Sequence, residues 1–83
     1  MHVVTLVNIS GTMETKSFST NTYTIREILS EIYGGNVPAS VISKTGSQPN
    51  AFQANGVKYG IDENINVDSD ITIMVTANTS GAL

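Results

Sequence analysis

Residues 23–35, Tyr-Thr-Ile-Arg-Glu-Ile-Leu-Ser-Glu-Ile-Tyr-Gly-Gly, carry both the start and the stop signal of one amphipathic helix. Thr24 and Glu27 have capping-box spacing: the threonine hydroxyl accepts from the third helical amide and the glutamate reaches back to the cap amide. Tyr23, just before the cap, and Ile28, at the fourth helical position, are spaced for a hydrophobic staple. Ile25, Ile28, Leu29 and Ile32 recur at i, i+3, i+4 and i+7 and form one apolar stripe, while Arg26, Glu27, Ser30 and Glu31 face water. Gly34-Gly35 ends the helix. A helix of about ten residues is marginal in isolation, so its stripe must rest on a sheet.

The flanks supply that sheet. Val3 to Ile9 is dense in β-branched residues and reads as a central strand. Ser10-Gly11-Thr12 gives turn chemistry, and Met13 to Ser19 follows as a more polar strand near the edge, where Glu14 and Lys16 discourage unwanted pairing. After the helix, Pro38 blocks further helix, Val41-Ile42-Ser43 suggests a short strand, and Thr45 to Asn50 is loop-forming. Ala51 to Ala54, Asn55-Gly56 and Val57 to Tyr59 form the strongest hairpin signal, because Asn-Gly tolerates the positive φ of a type I′ turn. Gly60 to Val67 reads as a connector and Ile71 to Val75 as a last strand.

The order β, β, α, short β or loop, hairpin, β predicts an α+β domain. Its mixed four- to five-stranded sheet has the first and last strands side by side at the centre and one helix packed on one face. This is a β-grasp, ubiquitin-like arrangement. A ferredoxin-like fold would need a second amphipathic helix, and none is visible after Gly34. The expected boundaries are one domain over 1–76 and a flexible tail over 77–83.

Three stretches carry a family resemblance. Gln53-Ala54-Asn55-Gly56-Val57, Asp68-Ser69-Asp70-Ile71-Thr72-Ile73 and Thr24-Ile25-Arg26-Glu27-Ile28-Leu29 resemble the small sulfur carriers of the ThiS/MoaD type in the ubiquitin-like superfamily. The resemblance implies a carboxyl-terminal tail that is adenylated by a partner enzyme. In that family the tail ends in Gly-Gly, whereas here Ser80-Gly81 stands in that place, followed by Ala82 and Leu83. Carrier or modifier chemistry would therefore require processing at Gly81, which makes Ser80 and Gly81 the tail site under that reading.

Composition narrows the function classes. Of 83 residues, 40% are hydrophobic, which is sufficient for one core, and only 13% are charged, so Asn, Thr and Ser dominate the surface. The net charge is −3 and the basic residues Lys16, Arg26, Lys44 and Lys58 are scattered, which argues against a nucleic-acid partner. There are no cysteines, hence no disulfide or thiolate chemistry. No basic leader and no long apolar run is present, so the expectation is a cytoplasmic chain with no membrane partner.

His2 is the only histidine, which leaves a catalytic dyad or a histidine metal site without its second member. Asp62, Glu63, Asp68 and Asp70 lack the central glycine and closing glutamate of a calcium loop and read as turn formers. The expectation is therefore no catalytic, cofactor-binding or metal-binding residue. What remains is a non-enzymatic protein-binding module, a monomer or weak homo-oligomer, with Phe52, Tyr59 and Tyr33 as the aromatic partner contacts. A small phage or viral accessory protein that binds a host protein is a further alternative.

Overall fold

The computed structural model describes residues 1–43 and 49–77. Within them the elements run β1 (His2–Val7), β2 (Met13–Phe18), β3 (Asn21–Thr24), α1 (Ile25–Ile32), α2 (Ala39–Ile42), β4 (Ala51–Ala54), β5 (Val57–Tyr59), β6 (Asn64–Val67) and β7 (Ile71–Thr76). Five strands form one mixed sheet in the order β2-β1-β7-β4-β5. The first and last strands are neighbours at its centre, as the sequence predicts, and run parallel, with Val4 opposite Ile71 and Leu6 opposite Ile73. The other contacts in this sheet are antiparallel. β2 lies at the edge, exposed except for Phe18.

Local chemistry explains why the elements begin and end where they do. The Thr24 hydroxyl accepts from the Glu27 amide at 3.1 Å, and the Glu27 carboxylate accepts from the Thr24 amide at 2.7 Å, completing the capping box. At the other end Gly34 adopts φ 61°. The Gly35 amide donates to the Ser30 carbonyl at 2.8 Å and the Gly34 amide to the Glu31 carbonyl, the double bond of a Schellman stop. Asn55 and Gly56 have φ values of 52° and 77°, the left-handed pair that a type I′ turn requires between β4 and β5.

Two expectations fail. Val41-Ile42-Ser43 is not a strand: Ala39–Ile42 makes a single helical turn that buries Val41. Pro38 does not merely stop a helix. Its φ of −60° presets the entry to this turn, and its carbonyl accepts from the Val41 amide. The second half of the expected connector, Asn64–Val67, is a strand that pairs antiparallel with β3 in a separate two-stranded ribbon. Its alternation of exposed asparagines with buried Ile65 and Val67 has the period of a strand.

The core lies between the large sheet and α1. Ile25, Ile28 and Leu29 of the predicted stripe are buried with Val4, Leu6, Phe52, Ile73 and Val41, and Ile32 packs against them half-buried. Each such aliphatic or aromatic side chain contributes roughly 1.5–3 kcal/mol on burial, which is what holds an eight-residue helix that would not persist alone. Tyr23 packs edge-on against Phe18, ring centres 5.3 Å apart, and its hydroxyl donates to the Ser19 carbonyl.

Candidate functional site

A strand sends alternate side chains to opposite faces. In the large sheet one set, including Val4, Leu6, Ile73, Val75 and Phe52, is buried with the helix. The registers align the other set on the far face. Met13 lies opposite Val7, Val7 opposite Met74, Met74 opposite Gln53 and Gln53 opposite Lys58. This is one row across all five strands, apolar over β2, β1 and β7. Thr15, Thr5 and Thr72 make the next row.

Met13 is 65% exposed, Met74 50% and Val3 42%, with Val7 half-buried between the methionines. The charges of β2, Glu14 and Lys16, occupy the alternate positions and belong to the helix side. Lys58 is then the charged residue of the open face among the described residues. An apolar stretch over Met13, Val7 and Met74, framed by threonines and with Lys58 only at the far end of its row, suits a protein contact of the flexible, methionine-containing kind.

The aromatic residues expected to contact a partner lie elsewhere. Phe52 is fully buried and has no surface for a partner to touch, because its place opposite Tyr59 and beside Val75 points it into the core. Tyr59 and Tyr33 are half-buried and pack on that core. Burial, and secondarily the Glu14 carboxylate, raise the Tyr33 phenol above its ordinary pKa. Tyr59 also borders an open groove of about 510 Å³ with Pro49, Ala51, Lys58 and Ile61. The structure therefore does not bring Phe52, Tyr59 and Tyr33 together as one surface. Ser80 and Gly81 lie outside the described residues.

Several of the polar groups are engaged in structure. The Ile25 amide donates to the Glu63 carbonyl at 3.1 Å and the Arg26 amide to the Ile61 carbonyl at 2.8 Å, so the first helical amides dock on the turn that follows β5. Glu63 closes that turn by accepting from the Gly60 amide. Arg26 donates to both oxygens of Asp62, at 2.8 and 3.3 Å, and this hydrogen bond holds the Asp62 carboxyl below its ordinary pKa. Asp70 accepts from the Val3 amide, and the His2 ring bonds the Thr20 hydroxyl. Among the described residues no three His, Cys, Asp or Glu side chains are grouped to hold a metal ion.

Among the described residues no helix is long and apolar enough to cross a membrane. Comparison with protein-family models, curated proteins and solved structures finds no match to this chain. The residues of the open face are ones that sequence reasoning passes over singly. Only the registers show that Met13, Val7 and Met74 adjoin.

Proposed function

We propose that this chain is a non-enzymatic protein–protein interaction module of the β-grasp, ubiquitin-like type, and that it docks its partner on the open face of the large sheet. What supports the fold reading is the strand order. Set aside the β3–β6 ribbon, and two hairpins flank a central parallel pair made of the first and last strands, with α1 across one face. The single observation that carries the functional reading is the apolar row Met13–Val7–Met74, which continues into Gln53 and Lys58 on a face that is otherwise threonine, serine and valine. Such a surface loses little on desolvation and gains on contact, whereas the half-buried tyrosines are already committed to the core.

The test is affinity capture with the intact chain and with a Met13→Asp/Met74→Asp variant, whose folding is checked by its amide spectrum. A protein retained by the parent chain and lost with the variant supports the reading. Retention of the same protein by both moves the contact off this face, and absence of any specific protein removes the module reading.

A further inference from the structure

The edge strand β2 carries a pattern that fits itself. Its outward backbone groups follow from the turn: the Asn8 amide donates to the Thr12 carbonyl at 2.8 Å, so that pair is hydrogen-bonded. Alternation along an antiparallel ladder then leaves Met13, Thr15 and Ser17 in the non-hydrogen-bonded positions, opposite Val7, Thr5 and Val3. The Val3 amide confirms the phase, since it points away from β2 and donates to Asp70. The outward amides and carbonyls of Met13, Thr15 and Ser17, which no strand pairs with among the described residues, therefore face the edge.

We propose that β2 pairs antiparallel with β2 of a second copy about a two-fold axis through Thr15, joining the two large sheets into one. In this register Thr15 faces Thr15 and Met13 faces Ser17 of the other copy, and each of these pairs exchanges two backbone hydrogen bonds. Between them Glu14 of each copy lies directly opposite Lys16 of the other, in the close, non-hydrogen-bonded pairs where side chains interact most. The two nearest registers that also match the outward groups put Glu14 against Glu14 or Lys16 against Lys16. Charge thus selects one register. The residues that guard this edge against foreign strands, Glu14 and Lys16, become complementary only to their own copy. The interface is isologous, as a two-fold contact must be, and leaves the Met13–Met74 face open and continuous across both copies.

A single edge pairing is a small interface, so the dimer has a dissociation constant in roughly the 0.1–1 mM range. Sedimentation equilibrium from about 0.05 to 2 mM covers that range. Lys16→Glu places like charges opposite each other twice and weakens the dimer by roughly tenfold or more. The swap Glu14→Lys/Lys16→Glu restores opposite pairs and returns dimerisation to near the parent level. Thr15→Pro removes an amide that makes no bond to β1 and abolishes the dimer; amide spectra verify that each variant keeps the monomer fold. A parent chain that stays monomeric to about 2 mM overturns the proposal. So does a swap variant that dimerises no better than Lys16→Glu alone.

Discussion

Removing the Asn50 carboxamide should destabilise the fold more than its modest size suggests. Asn50 is 2% exposed, and its side-chain nitrogen donates to the carbonyls of Ser40 at 3.1 Å and Val41 at 2.9 Å, while its own amide donates to the Ile42 carbonyl at 2.7 Å. These are carbonyls that the last turn of α2 leaves without intrahelical partners. Asn50 therefore seals the end of that helix from the start of β4. In Asn50→Ala the backbone bond survives and the side-chain bonds to Ser40 and Val41 are lost. At about 1 kcal/mol each, plus part of the cost of leaving the buried Val41 carbonyl unpaired, the loss is about 2–3 kcal/mol. For a domain of this size that lowers Tm by roughly 8–24 °C, measurable by calorimetry or circular dichroism.

Asn50→Asp separates donor chemistry from shape. A carboxylate at the same place would face two carbonyl oxygens with nothing to donate, so at neutral pH it is worse than Ala. Its folded pKa would be raised. For an acid this means a penalty that is absent below the unfolded carboxylate pKa of about 3.9 and grows as pH rises. The Tm deficit of Asn50→Asp relative to the parent should therefore shrink on going from about pH 7 to pH 4. A Tm drop below about 4 °C for Asn50→Ala, or an Asp variant as stable as Ala at neutral pH, would refute the reasoning.

Three further outcomes are expected. Asp62→Asn removes the bidentate pair with Arg26, whose side chains are 57% and 73% exposed in the order Arg26, Asp62, so Tm at neutral pH changes little. Because the folded Asp62 pKa is depressed, its contribution is present above the unfolded carboxylate pKa and is lost as pH falls through the folded value. The acid limb of a Tm-against-pH curve, from about pH 4 downward, should be shallower in the variant. Gly34→Ala forces a side chain into the left-handed region at φ 61° and should cost about 1 kcal/mol, or roughly 4–8 °C in Tm by thermal melting. Intact mass of the protein recovered from its native host should show neither truncation at Gly81 nor added sulfur; either finding would replace the docking module with a sulfur-carrier reading.

The signals readable in the sequence were those that a few adjacent residues determine. Thr24 with Glu27, Gly34 and Asn55-Gly56 each fix a turn or a cap through their own side chains or φ preferences, and all three are realised. β6 escapes because Asn64 and Asn66 lower the strand signal, and its partner, Asn21–Thr24, lies far away in sequence, with the Thr22 hydroxyl donating to the Asn66 side chain across the ribbon. Val41 and Ile42 read as strand by propensity, yet tertiary context prefers one helical turn that seats Val41 in the core. The open face was the least legible feature, because it arises from the registers of three strands and no single segment contains it. Phe52 shows the same limit in reverse: an aromatic residue beside a hairpin turn looks available for contact until the alternation of β4 turns it inward.

Placing β7 between β1 and β4 also sets a clock. During synthesis the β1–β2 hairpin and α1 emerge first, yet the strand that must lie against β1 follows only after the rest of the domain has been made. At roughly 5–20 residues per second, Val4 and Leu6 wait on the order of several seconds before Ile71 and Ile73 arrive beside them. For that interval the apolar margin of β1 is a template without its strand, so the nascent chain is most vulnerable to mispairing at the place where the finished sheet is most completely closed.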